Sequence, residues 1–61
     1  MEPLDRHIVQ VLARDGRISF ADLGRQVGLS TSAVHQRVKR LEERGIIKGY
    51  RAVVDYSAVG L

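Results

Sequence analysis

The sequence predicts a mainly α-helical fold class: three helices in a small domain, followed by one extended β-strand. Apolar residues recur every three or four positions in three successive segments up to residue 45, the spacing of one helix face. Serine or glycine stands at the boundaries of these segments, where helices commonly begin and end. After residue 45 the apolar and polar residues alternate instead, which is typical of a strand.

The first helix is expected over about residues 3–15. Pro3 suits the first turn, where its missing N–H group costs nothing. We expect Gly16 to end the helix in the left-handed conformation. The apolar residues that share its inner face are Leu4, Ile8, Val11 and Leu12.

The second helix is expected over about residues 20–27. Ser19 and Asp22 have the spacing of a capping box, with Asp in the place that Glu or Gln usually fills. Gly28 is expected to end the helix. Gly24 in mid-helix costs about 1 kcal/mol relative to alanine, so we expect it to allow a close contact.

The third helix is expected over about residues 31–44, before Gly45. Its inner face would carry Val34, Val38 and Leu41. Ser30 precedes it and has two interpretations. Its hydroxyl either caps the helix, which is worth about 1 kcal/mol, or binds a phosphate group.

Residues 50–56 are predicted to form the extended strand, because valine and tyrosine favour strands and the pattern alternates. The domain organisation is therefore a three-helix domain at residues 1–45 and an extended segment at 46–61.

Composition narrows the functional classes. The chain has 61 residues and no cysteine, so disulfides and cysteine zinc sites are excluded and a reducing cytoplasm is favoured. No apolar run approaches the roughly 20 residues that span a bilayer. No nucleophile–base pair, metal spacing or phosphate loop stands out. We therefore predict a non-enzyme with no cofactor, no metal and no membrane partner.

Positive charge is concentrated in the second half. Residues 30–51 contain six Lys and Arg against two Glu, a net +4, whereas the remainder has a net charge of −1. Segregated basic charge fits a polyanionic partner, and a solvated basic surface without a partner is the alternative.

A short helix, a turn containing glycine and a longer helix together make a helix-turn-helix, which is winged-helix-like when a strand follows. Its alternative is an αα-hairpin without a nucleic-acid role. On the third helix, the side opposite the apolar face is small and uncharged at first and basic further along, which suits a helix entering the major groove of double-stranded DNA. The candidate DNA-binding residues are Ser30, Thr31, Ser32, His35, Gln36, Arg37, Lys39 and Arg40.

Three segments resemble the Lrp/AsnC family, also called feast/famine regulatory proteins, over essentially the whole chain. They are LDRHIVQVLARDGRIS, LGRQVGLSTSAVHQRVKRLEERGIIKGYRAVVD and the closing AVGL. The resemblance implies sequence-specific DNA binding in a prokaryotic transcription regulator, associated with the nucleoid, with residues 30–44 as recognition helix. It also implies that residues 1–45 are the DNA-binding domain and residues 46–61 a linking strand or dimerisation segment, with a homodimer formed through the 50–56 strand.

In the family an effector domain follows, and these residues lack it. An amino-acid effector is therefore expected only if the natural protein has a C-terminal domain, and the chain is either a fragment or a stand-alone reading head. Two alternatives remain open. One is a protein-interaction module that keeps the fold without DNA binding, and the other is the helical head of a siroheme decarboxylase similar to this family.

Overall fold

The computed structural model describes all 61 residues, Met1–Leu61. It contains four helices and no strand: α1 (Pro3–Arg14), α2 (Phe20–Val27), α3 (Thr31–Glu43) and α4 (Tyr56–Val59). The mainly helical fold class is confirmed, and the bounds of α1 to α3 lie within a residue of those predicted. None of the helices combines the length and the apolar character needed to cross a membrane.

The core lies where α1, α2 and α3 meet. Five apolar side chains are buried, one from α1, one from α2 and three from α3: Ile8, Leu23, Val34, Val38 and Leu41. Because α3 contributes three of the five, its inner face is fixed by packing and its opposite face is left to solvent. The predicted inner face of α3 is confirmed.

Serine hydroxyls cap two of the helices. The Ser19 Oγ accepts a hydrogen bond from the Asp22 N–H at 3.0 Å, and the Ser30 Oγ accepts one from the Ala33 N–H at 3.2 Å. Each satisfies a backbone donor that the first helical turn leaves free. The Asp22 carboxylate pairs with Arg25, one turn further along α2, so only the serine half of the predicted capping box is formed.

The turn between α2 and α3 is closed by two glycines. A Cβ on Gly24 would overlap the carbonyl oxygen of Leu29, so the close contact predicted for this position is confirmed. Gly28 has a φ of +78°, a left-handed conformation that glycine adopts without steric cost. The N–H groups of Gly28 and Leu29 both donate to the Gly24 carbonyl, at 2.8 and 2.9 Å.

The prediction for Gly16 was wrong in its conformation. Helix α1 ends at Arg14, and only Gly28, Gly45 and Gly60 have positive φ angles. Asp15 forms the turn instead, because its side chain accepts a hydrogen bond from the Arg17 N–H at 3.1 Å. An aspartate that bonds the backbone two residues on makes a turn without needing a left-handed residue.

The strand predicted over residues 50–56 is not formed in the single chain. A strand requires a hydrogen-bonded neighbour, and no other strand is present. Tyr56 instead begins α4, whose first turn is capped by the Asp55 carboxylate accepting from the Ser57 and Ala58 N–H groups. The Ser57 hydroxyl donates to the same carboxylate at 2.7 Å and is the main cause of a lowered pKa for Asp55.

Candidate nucleic-acid interface

The outer face of α3 is defined as the exposed side of the helix, opposite the core. Its members are all solvent-exposed and were all among the predicted site residues: Thr31, Ser32, His35, Gln36, Lys39 and Arg40. They occupy the first three turns of α3, and no other part of the chain covers them. A rigid helix therefore presents a polar surface about three turns long, or roughly 15 Å at 1.5 Å per residue.

The beginning of this face is small and uncharged. Ser30 is exposed, but its Oγ is engaged in the helix cap and lies 3.4 Å from the Ser32 Oγ. The capping interpretation of Ser30 is therefore the one the structure forms. Thr31 and Ser32 add only short hydroxyl side chains, so the helix end can approach a surface closely.

His35 is held in place by a neighbouring helix. Its ring contacts the ring of Phe20 edge-on, with centroids 5.6 Å apart and planes inclined at 66°. This contact joins the start of α2 to the edge of the outer face of α3. His35 is thus exposed on the outer face while its ring rests against Phe20.

The later turns of the face are cationic. Neither Lys39 nor Arg40 takes part in an ion pair, so both charges are available to a partner. Gln36 and Arg40 line one depression together with Leu29, Ala33 and Arg37. An amide and a guanidinium side by side offer several hydrogen-bond donors within one small area.

Arg37 differs from the other predicted site residues because it is paired with carboxylates of the same chain. Its Nη1 donates to the Asp5 Oδ1 at 3.0 Å and to the Glu2 Oε2 at 3.1 Å, which ties α3 to the start of α1. The hydrogen bond to Asp5, followed by that to Glu2, raises the pKa of Arg37. Its guanidinium is held against the start of α1 and only 34% of its side chain is exposed, although the side chain also lines the depression beside Gln36 and Arg40.

The segment after α3 is fastened to α3 by a tyrosine. The Tyr50 hydroxyl donates to the Glu42 Oε2 at 3.0 Å, and its ring lies 3.9 Å from the position a Cβ on Gly16 would take. Partial burial and then the Glu42 hydrogen bond raise the pKa of Tyr50. Tyr50 therefore connects the C-terminal segment, residues 48–61, to the last turn of α3 and to the turn between α1 and α2.

Sequence reasoning missed one group of basic residues. Arg14, Arg17 and Arg51 line a single depression around Gly16 and Tyr50. In the sequence Arg51 is more than 30 positions from the other two, and Arg14 and Arg17 lie in the half with net negative charge. Only the folding back of Tyr50 onto the α1–α2 turn brings them together, so no sequence spacing could have shown the group.

The short α2, the glycine-containing turn and the crossing α3 define a helix-turn-helix domain. An AsnC-type helix-turn-helix domain model matches residues 1–42. The chain is 47% identical over 60 residues to the HTH-type transcriptional regulator LrpA of Mycobacterium tuberculosis, covering 98% of this chain and 40% of LrpA. It is 42% identical over 60 residues to the leucine-responsive regulatory protein of Rhizobium meliloti, covering 98% of this chain and 38% of that protein.

Solved structures agree with the sequence matches. The crystal structure of Mycobacterium tuberculosis LrpA superimposes with a TM-score of 0.87 at 47% identity, covering 98% of this chain and 41% of that one. Bacillus subtilis LrpC gives a TM-score of 0.88 at 41% identity, covering 100% and 44%. The chain belongs to the Lrp/AsnC family, as its sequence motifs indicated, and it spans about two fifths of the length of the curated relatives it matches.

Proposed function

We propose that the chain binds double-stranded DNA in a sequence-specific manner, as the reading head of a transcription regulator, with α3 in the major groove. The observation that supports this proposal is the outer face of α3, which is polar, rigid and uncovered, and becomes cationic after its first turns. The major groove is about 12 Å wide and admits one helix, and its base edges are read by short polar and forked cationic side chains.

Each residue has a separate role in the proposal. Gln36 pairs with adenine, and Thr31 and Ser32 contact base edges near the helix end. Lys39 and Arg40 reach phosphate or guanine, and Arg40 has the forked geometry that guanine requires. His35 contacts a base or a phosphate.

Two predicted contacts change role in this proposal. Ser30 acts through its cap, which sets where α3 begins. Arg37 is a positioning residue instead of a DNA contact, because its guanidinium is occupied by Asp5 and Glu2. In this role Arg37 holds the start of α1 against α3 and so helps to set the angle between the two helices.

The test is a comparison of two substitutions on two duplexes. One duplex is enriched from a random library by binding to the chain, and the other is of random sequence. Gln36→Ala is expected to lower the affinity ratio between them by about 5- to 150-fold, the value of about 1–3 kcal/mol for one bidentate base contact. Lys39→Ala is expected to weaken both alike and to lower the salt slope by about 0.9.

An affinity ratio that Gln36→Ala leaves unchanged would remove the base-reading role of Gln36. Failure of the unaltered chain to bind either duplex at low salt would contradict the whole proposal. A single domain of this size buries little surface on DNA, so the affinity is expected to be weak and strongly salt-dependent.

We also propose that a second copy of the chain pairs with residues 50–56. These residues belong to the C-terminal segment, residues 48–61, which has no buried side chain and whose exposed large apolar side chains include Val53, Val54, Tyr56, Val59 and Leu61. An unpaired stretch of backbone with exposed apolar side chains favours pairing with a strand of another chain. A dimer formed in this way would read two DNA half-sites that lie one helical turn, or a multiple of one turn, apart. Sedimentation that shows only monomer at high concentration would contradict it.

The remaining parts of the proposal follow from DNA binding. The chain acts in the cytoplasm at the nucleoid, without catalysing a reaction. The relatives it matches are named as transcriptional regulators, in agreement with a non-enzymatic role. An amino-acid effector is part of the proposal only if the natural protein has a C-terminal domain.

A further inference from the structure

The depression lined by Arg14, Arg17 and Arg51 is a concentration of charge without a partner in the chain. None of the three guanidinium groups takes part in an ion pair. One carboxylate, that of Asp15, lines the same depression, and its Oδ1 is engaged by the Arg17 N–H. Three cations against one anion leave the depression with a net positive charge.

Two contacts place this depression relative to α3. Tyr50 lines the depression and donates to Glu42, in the last turn of α3. Phe20, at the start of α2 just beyond Arg17, contacts His35 two turns earlier on α3. His35 and Glu42 are seven residues apart and so lie along the same edge of the helix, and Lys39 lies between them on that edge. The arginine depression therefore flanks one long edge of α3, next to its outer face.

A helix in the major groove lies between two ridges of phosphates, and groups beside its edge face one of these ridges. We propose that Arg14, Arg17 and Arg51 bind the phosphate backbone of the duplex that α3 reads. This inference rests on the proposed DNA binding and extends it to a second surface, built from the α1–α2 turn and the segment after α3. Guanidinium groups suit phosphate because they offer several donors in a planar fork. Contacts of this kind add affinity without reading sequence.

The test is the salt dependence of binding to a fluorescein-labelled duplex of random sequence. The single variants Arg17→Gln and Arg51→Gln each remove one charge. Each is expected to make the negative slope of log K against log salt shallower by about 0.9. Arg6→Gln is the matched control, because Arg6 is exposed, unpaired and outside the depression. It is expected to leave the slope unchanged. Arg17→Lys keeps the charge and is expected to retain the slope.

The outcomes separate this inference from the function on which it rests. If the unaltered chain does not bind the duplex, DNA binding itself fails. If it binds, and Arg17→Gln and Arg51→Gln match Arg6→Gln in slope, the arginine depression is not a phosphate site and the inference is overturned. Saturable binding of inorganic phosphate at the Arg17 and Arg51 amides, with the DNA slope unchanged, would assign the depression to a small anion and also overturn it. An affinity ratio between selected and random duplex that falls in Arg17→Gln would contradict the sequence-independent role.

Discussion

The helical body, residues 3–47, and the C-terminal segment, residues 48–61, are built in opposite ways. All five buried apolar side chains lie in the body, whereas every residue of the C-terminal segment is exposed. Ile47 is the last residue that packs against the core. The body therefore carries its own stability, while the C-terminal segment has apolar side chains that the single chain leaves uncovered. A sequence pattern therefore predicts structure reliably only where the same chain supplies both of the elements that pack or pair with each other.

The largest expected difference between the two regions is in the free energy of unfolding. Leu23→Ala removes a fully buried side chain and is expected to cost about 2–5 kcal/mol. A chain this long has only roughly 3–9 kcal/mol in total, so much of the fold should be lost. Val53→Ala is the matched control in the C-terminal segment and is expected to change stability by less than about 0.5 kcal/mol. Urea unfolding followed by circular dichroism measures both, and equal losses would contradict the division.

The next effect tests the turn that sets the crossing of α2 and α3. Gly24→Ala forces a Cβ against the Leu29 carbonyl oxygen and is expected to cost about 1–3 kcal/mol, despite alanine's higher helix propensity. Gly49→Ala is the control, because a Cβ there meets nothing within 4 Å and its φ is not positive. It is expected to be neutral or stabilising by up to about 1 kcal/mol. A Gly24→Ala variant as stable as Gly49→Ala would show that the helices do not approach closely there.

A smaller effect concerns the brace between α1 and α3. Asp5→Asn is expected to lower the melting temperature by less than Gly24→Ala does, but by more than Glu2→Gln. The reason is that 11% of the Asp5 side chain is exposed, against 70% for Glu2, and water weakens an exposed ion pair. Calorimetry on the two variants measures the order.

The Asp5→Asn variant also separates two roles for Arg37. If Arg37 is a positioning residue, Asp5→Asn should lower the affinity for all duplexes alike and leave the salt slope of DNA binding unchanged. If Arg37 contacts phosphate instead, releasing it from Asp5 would steepen the slope. The slope thus decides between bracing and binding.

The smallest effect is at the junction of the body with the C-terminal segment. In a Tyr56→Phe background only Tyr50 titrates as a phenol, and its pKa is expected above the ordinary 10.0, because partial burial and the Glu42 carboxylate favour the neutral form. Its contribution to stability is therefore present below pH 10 and is lost as the pH rises through the raised pKa. Adding Glu42→Gln should lower the pKa, as measured by ultraviolet absorbance. An unchanged pKa would mean that the hydrogen bond to Glu42 does not form in solution.

Much of the body could be predicted from sequence because its determinants are local. Ser19 and Ser30 cap helices through bonds to residues three positions away, and the need for Gly24 follows from the short turn, residues 28–30, between α2 and α3. The inner face of α3 follows from helical periodicity. The outer face follows from it too, since a residue opposite a buried stripe must be exposed.

What could not be predicted depends on contacts distant in sequence or on a partner. The pair of Arg37 with Asp5 joins positions 32 apart, and the arginine depression joins the α1–α2 turn to the C-terminal segment. The ion pair and the depression both depend on how α1 and the C-terminal segment lie against α3. The spacing of residues in the sequence does not determine that arrangement. Residues 50–56 have a strand pattern, yet a pattern cannot supply the neighbour that a strand requires.

The most direct measurement is a nuclear magnetic resonance titration of the labelled chain with its selected duplex. Binding through α3 predicts the largest amide shifts along its outer face, at Ser32, Gln36 and Lys39, and small shifts at the exposed apolar residues after Asp55. Amide shifts confined to residues 56–61, or shifts in α3 no larger than those at the start of α1, would contradict the major-groove role of α3.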